Sequence, residues 1–390
     1  MTRRRQASEG GISSYSTKGG TRYRIDFTAP DGNGGAARQT KGGFLTREAA
    51  GDALLDARAK VKAGTHVRPT KVTVAGYMGE WLDGLRLRDT TVALYRRLNR
   101  LHVEPHIGSV RLDLLTPEML DRLYGTLERG GLSLSTSRKV HTLIYGALSR
   151  AVSSGRLPMN PAAKANLPSA VEAAPAEMKV WTPQQIGSFL RWAKESRPEW
   201  YPMWHVLFAT GVRRGELVGL RWSDVDLARQ TLTVRRSVSI ISGEGPGTRR
   251  IVIGPPKNRK VRIVALDSHT IALLKGWRLL RAELGLVLVT GDAYVFGGLD
   301  GNHRDPVTLA ATFGAHLHAA QRKLGPDLPV IRFHDSRHSH ATALLLAGTP
   351  VQVAAERIGD DPATMLRVYA HVLPGQQRQA AEAVAALVVT

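Results

Sequence analysis

Ala209-Thr210-Gly211-Val212-Arg213-Arg214-Gly215-Glu216-Leu217, continued by Leu220-Arg221-Trp222-Ser223-Asp224-Val225-Asp226, is the most informative stretch of this 390-residue chain. Arg213 and Glu216 stand three apart, so on a helix they share a face and can hydrogen-bond. A carboxylate that fixes a guanidinium in one orientation makes a rigid fork, and that fork matches two oxygens of a phosphate. An ion pair on a solvated helix would show the same spacing. The segments that accompany the stretch therefore decide its reading.

Toward the C-terminus, Pro255-Pro256-Lys257-Asn258-Arg259-Lys260 forms a basic turn. After it Val261, Ile263 and Ala265 alternate with Arg262 and Val264, as in a strand. A lysine on such a turn can reach a phosphate and protonate a departing oxygen; a merely solvated turn has the same composition. Further on, His334-Asp335-Ser336-Arg337-His338-Ser339-His340-Ala341-Thr342 runs into Ala343, Leu344, Leu345 and Leu346. Two chemistries compete there. His334 and His338 are four apart with Asp335 second, a variant of the H-E-x-x-H zinc helix, but that motif needs a third ligand and a glutamate. Alternatively, His334 and Arg337 present one face to a phosphate. The last segment, Leu366-Arg367-Val368-Tyr369-Ala370-His371-Val372, is helical sequence before Pro374. Tyr369 by itself reads as a packing residue.

The organisation around these segments is α+β and mainly α. In residues 1–66, Tyr23, Ile25 and Phe27 alternate with Arg22, Arg24 and Asp26, which predicts a half-buried strand. Asp31-Gly32-Asn33-Gly34-Gly35 is hairpin-turn chemistry, and Thr46 is an N-cap for a helix carrying Ala49, Ala50, Ala53, Leu54 and Ala57. Residues 72–165 read as a helical domain. Val74, Tyr77, Met78, Trp81, Leu82 and Leu85 keep helical spacing. A second helix follows the cap Thr90-Thr91, and a third runs from about Ser135 to Ser154. Residues 166–180 are an Ala/Pro-rich linker. Residues 181–390 form a third, mainly helical domain that opens at the cap Thr182 with one helix to about Leu220. It carries a β-rich insert at 231–266 and a strand-like patch at Tyr294–Phe296.

Composition narrows the partners. Lys and Arg total 54 against 33 Asp and Glu, a formal charge of +21, which favours a polyanion such as DNA or RNA. The absence of cysteine excludes disulfides, thiol nucleophiles and Cys-ligated zinc. MTRRRQASEG lacks the apolar stretch of a signal peptide, and no run is long enough to span a membrane. These features predict a soluble, cytoplasmic protein.

Taken together and in this order, the segments resemble the catalytic domain of tyrosine recombinases of the phage-integrase type. Thr210, Gly211, Arg213 and Glu216 match T-G-x-R-x-x-E, and Leu220 to Asp226 match the continuation. His334 and Arg337 match H-x-x-R, and Tyr369 to Pro374 match Y-x-H-V-x-P. Residues 1–66 look like the arm-site DNA-binding domain of integrases and 72–165 like their core-binding domain. The resemblance implies a site-specific recombinase that integrates a mobile element through a 3′-phosphotyrosyl intermediate. Arg213 and Arg337 would hold the phosphate, His334 would position or deprotonate, and Tyr369 would attack. Lys257 would act as general acid, with Lys260 as runner-up. No cofactor, metal or nucleotide is required. The implied partners are double-stranded attachment sites and a homotetramer on synapsed DNA, with its apolar tail (Gln379–Val389) docked into a neighbour. A DNA-bending host factor and an excisionase are the accessory partners. The chain departs from the family where a sixth catalytic His or Trp is usual, reading Arg357-Ile358-Gly359-Asp360-Asp361-Pro362, with His371 as another imidazole nearby. That departure leaves a non-catalytic DNA-binding derivative as the alternative.

Overall fold

Thr46 accepts a hydrogen bond from the Ala49 amide at 3.1 Å, so the N-cap read from the sequence opens a real helix. This contact and those below come from a computed structural model. It describes residues 11–30, 35–63, 71–167, 178–243, 247–258 and 260–369, with isolated positions between 381 and 388. The chain divides into two units, Met1–Pro175 and Ala176–Thr390.

The first unit holds two apolar cores. Strands β1 (Ile12–Thr17), β2 (Gly20–Pro30) and β3 (Ala36–Phe44) form an antiparallel sheet in that order, followed by α1 (Arg47–Lys62). The two-residue period of β2 turns Ile25, Phe27 and Ala29 onto Ala50, Leu54 and Ala57 of α1. Asp26, expected on the solvated face, is instead buried, held by Thr40 at 2.5 Å and Arg38 at 3.1 Å. The expected turn at Asp31–Gly34 lies outside the described residues.

The second core is built by α2 (Val74–Asp83), α3 (Asp89–Leu98), α4 (Glu104–Ile107), α5 (Pro117–Arg129) and α6 (Leu134–Ser153). Thr90 and Thr91 do not cap α3. The helix begins at Asp89 after extended Arg88, which places an acid in the first turn. The sequence reading passed over α5, although Thr116 caps it at 3.4 Å and Pro117 pre-sets its first turn. The predicted linker lies mostly outside the described residues.

In the second unit a single helix to Leu220 is replaced by three: α7 (Pro183–Ser196), α8 (Tyr201–Thr210) and α9 (Arg214–Val218). Thr182 and Gln185 form a reciprocal capping box at the start of α7. Strands β4 (Val225–Asp226), β5 (Thr231–Val234) and β8 (Arg262–Ala265) make one sheet, while β6 (Ser237–Ser242) and β7 (Arg249–Gly254) pair separately. The patch at Tyr294–Phe296 forms only an isolated bridge, from Tyr294 to Arg221. Helices α10 (Ser268–Leu284) and α11 (Pro306–Leu324) pack on the core of Trp181, Phe189, Trp204, Phe208 and Phe313, while α12 (Asp335–Leu346), α13 (Val351–Ile358) and α14 (Pro362–Tyr369) share a second apolar cluster. Among the described residues no helix is long and apolar enough to cross a membrane.

The break between α8 and α9 is set by Gly211, whose φ of +61° ends α8 in the left-handed region. A Cβ there would stand 2.6 Å from the ring of His340. Gly211→Ala therefore combines a left-handed penalty of about 1–2 kcal/mol with a steric clash. The expected outcome is a lowered melting temperature in differential scanning calorimetry; an unchanged transition would contradict this account of the turn.

Candidate active site

The last carbonyls of a helix lack intrahelical donors and must find others. At the end of α8 they find side chains of α12 and α13. His340 Nδ1–H donates to Phe208 O at 2.8 Å, Arg357 Nη2 to Ala209 O at 3.0 Å, and Arg337 Nη1 to Gly211 O at 2.8 Å. Burial, with Arg357 close by, pushes the His340 pKa down to about 4. The ring is thus neutral, with Nε2 free to accept from Arg357 Nε at 3.3 Å. These bonds fix Arg337, 2% exposed, against the turn that carries Arg213.

Arg213 is the residue that leads into α9 rather than a member of it. Its backbone N–H donates to Glu216 Oε2 at 3.0 Å and its Nη1 to Oε1 at 3.1 Å. The pairing expected from the spacing exists, but it is no surface pair, because Glu216 is fully buried. A second cation, Arg262, grips the same carboxylate at 3.2 and 2.6 Å. Burial alone would raise the Glu216 pKa; the bonds from Arg262, then Arg213, hold it below the ordinary carboxylate range. Arg262 is buried because the inward face of β8 is Arg262 and Val264. Val261 and Ile263, expected on the apolar face, are exposed.

Asp360 joins the two candidate phosphate arginines. Its Oδ1 accepts from Arg213 Nη2 at 2.6 Å and its Oδ2 from Arg337 Nη2 at 2.7 Å. Gly359 supplies its carbonyl to Arg213 at 3.0 Å and to Asn258 at 3.1 Å. With φ at +68°, it leaves no room for a Cβ beside Arg262. A cavity of about 860 Å³ opens beside this cluster, lined among others by Arg213, Asn258, Lys260, Arg262 and Asp360.

Tyr369, at the end of α14, is buried, and its hydroxyl is hydrogen-bonded to His338 Nδ1. Burial raises its pKa above the ordinary phenol value, with Arg337 pulling the other way. His334 leads into α12, its ring edge-on to His338 at 4.9 Å. Although His334 is exposed, desolvation by the surrounding protein, then His338, Arg337 and Arg213, drive its pKa down to about 4. Among the described residues no cluster of His, Asp or Glu is arranged to hold a metal ion.

The structure thus joins Arg213 to Arg337 through Asp360, and sets Tyr369 against the helix that bears His334 and Arg337. Lys257 is exposed on the turn between β7 and β8 and does not line the cavity, whereas Lys260 does. His371 lies outside the described residues. The sequence reading missed the parts played by Arg262, Asp360 and His338. A signal existed for the first, a charge interrupting an apolar strand. For Asp360 the signal was its departure from the pattern that the resemblance to tyrosine recombinases implies.

Residues 179–376 match the profile of the Phage integrase family. A "Tyrosine recombinase XerC-like" protein of Caldanaerobacter subterraneus subsp. tengcongensis is 26% identical, covering 94% of this chain and 97% of its own length. The Tn1549 transposon integrase, solved with a circular intermediate DNA, shares the fold with a TM-score of 0.68 at 20% identity, over 80% of this chain and 99% of that one. A lambda integrase tetramer bound to a Holliday junction matches with a TM-score of 0.52 at 13% identity, over 89% and 95%. Fold, site and family profile agree on a DNA strand-exchange enzyme. The chain belongs to the phage integrase family and is a site-specific tyrosine recombinase.

Because Glu216 neutralises the buried guanidinium of Arg262 and supports the half-buried Arg213, Glu216→Gln leaves Arg262 uncompensated and should cost about 3–5 kcal/mol. In the unmodified protein this contribution is complete above the ordinary glutamate pKa of 4.5 and is lost only as pH falls through the lower folded value. Chemical denaturation at pH 7 measures it; a variant as stable as the parent would contradict the buried network.

Proposed function

We propose that this recombinase cleaves and rejoins attachment-site DNA with Tyr369 as nucleophile. Arg213 and Arg337 bind the non-bridging oxygens of the scissile phosphate in place of the Asp360 carboxylate. The attack concentrates negative charge on those oxygens, and forked, charge-assisted bonds from two fixed guanidiniums stabilise it most in the transition state. His334, neutral at physiological pH, hydrogen-bonds the phosphate. Lys257 protonates the departing 5′ oxygen, with Lys260 as the alternative donor on the same turn. Tyr369 is left as a 3′-phosphotyrosyl ester, which a 5′ hydroxyl from the partner duplex reverses.

Residues 1–66 bind arm sites, 72–165 embrace the core site, and 181–390 carry out the chemistry. Four copies assemble on synapsed DNA through the C-terminal tail to integrate a mobile element, in the bacterial cytoplasm on nucleoid DNA. A DNA-bending host factor and an excisionase are its accessory partners. The lambda integrase tetramer on a Holliday junction supports the assembly. The observation that carries the chemistry is one carboxylate bridging Arg213 and Arg337, at 2.6 and 2.7 Å, on the element next to Tyr369.

The test is denaturing electrophoresis of full-length protein with a labelled, nicked attachment site. Tyr369→Phe should bind DNA normally and form no covalent complex. Arg337→Lys keeps the charge but loses the fork, and should slow cleavage by roughly 10²–10³-fold. A covalent complex that persists in Tyr369→Phe would contradict the assignment.

A further inference from the structure

A buried phenol with a raised pKa is a poor nucleophile. Its proton must leave as the new bond forms, and the acceptor must already be within hydrogen-bond reach. Among the described residues the hydrogen-bond partner of the Tyr369 hydroxyl is Nδ1 of His338. We propose that His338 is the catalytic residue that takes the Tyr369 proton, an inference that rests on Tyr369 being the nucleophile.

The contact is built rather than incidental. His338 sits on α12 one residue after Arg337 and one turn after His334, so the helix that grips the phosphate also carries the proton acceptor. Helices α12, α13 and α14 pack through Ala341, Leu345, Ala354, Ile358 and Met365, with Tyr369 in the same cluster. The rings of His338 and Tyr369 lie 5.8 Å apart at 52°, and His334 borders His338 on its other side. His334 itself has no hydrogen bond to the Tyr369 hydroxyl, so the geometry separates positioning from deprotonation between two histidines.

The charges around His338 suit the role. Desolvation, with the cations of Arg337 and Arg332, keeps it neutral at physiological pH, so Nδ1 offers a lone pair when Nε2 carries the proton. Asp335 from its own helix and Asp360 from the turn after α13 act in the opposite sense and stabilise the imidazolium once formed. In the cleavage step the Oη–phosphorus bond forms and the phosphorus–O5′ bond breaks. The phenol proton passes to His338 Nδ1, and the leaving 5′ oxygen takes a proton from the lysine on the β7–β8 turn. Ligation runs the same transfers backwards, with His338 returning its proton to the departing phenolate.

The experiment is single-turnover cleavage of a nicked attachment site by full-length protein between about pH 5.5 and 9. The parent rate should be level near neutrality and fall only below the ordinary histidine pKa, because the base is neutral above it. His338→Gln should cleave roughly 10²–10⁴-fold more slowly at pH 7 and bind the site as before. Its rate should climb with pH as solvent replaces the lost base. His338→Asn keeps a hydrogen-bond acceptor near Nδ1 but has no basicity, so it should share the defect and the altered profile. His334→Gln should slow cleavage without steepening the profile. If His338→Asn restores the parent rate and pH profile, the residue only positions the tyrosine and the proposal is overturned. If Tyr369→Phe still forms a covalent complex, the nucleophile reading has failed instead, and the two failures are distinguishable.

Discussion

Two guanidiniums placed side by side repel one another, and here Arg213 and Arg337 both reach the same carboxylate, that of Asp360. The repulsion is on the order of a few kcal/mol at the short separations and moderate dielectric of a protein cleft, so the pair persists only if anions are built in between. Here Glu216 lies beneath Arg213, shared with Arg262, and Asp360 spans Arg213 and Arg337. The rest of the site is arranged around these carboxylates. The left-handed turn at Gly211 aims Arg213, the buried arginine on β8 anchors Glu216, and the left-handed Gly359 delivers Asp360.

The same frame ties distant segments into one object. Carbonyls at the end of α8 receive bonds from His340, Arg357 and Arg337, so α12 and α13 are fixed to that helix end by groups that would otherwise be orphaned. This makes the motif that ends in Arg337 both structural and chemical: one edge of the arginine holds Gly211 O, and the other faces the anion. Asp360 places a negative charge between the two guanidiniums and sets the electrostatics there. The anion that bridges Arg213 and Arg337 belongs to the protein itself.

Much of this was legible in the residues, and the parts that were not share a cause. Three-residue spacing paired Arg213 with Glu216 correctly, but spacing cannot report burial, so a core ion triad looked like a surface pair. The caps Thr46 and Thr182 are local chemistry and hold in the fold, whereas the cap expected at Thr90-Thr91 gave way to a start at Asp89. The division of residues 183–220 into three helices depends on Gly211 adopting a positive φ beside His340, a contact made across 129 positions of sequence. The alternation along β8 does not reveal its inward face, because Arg262 is buried by pairing rather than by apolarity. His338 entered the sequence reading only as a zinc ligand, since nothing local indicates that its Nδ1 meets a tyrosine thirty-one residues away.

The account turns on one atom, the hydroxyl oxygen of Tyr369. Protein trapped on a nicked attachment site can be digested with trypsin and nuclease and the adduct sequenced by tandem mass spectrometry. The expected result is a single modified peptide spanning Tyr369, carrying nucleotide through a 3′-phosphate on the phenol. An adduct on Tyr294, Tyr201 or any serine, with Tyr369 recovered unmodified, would contradict the account.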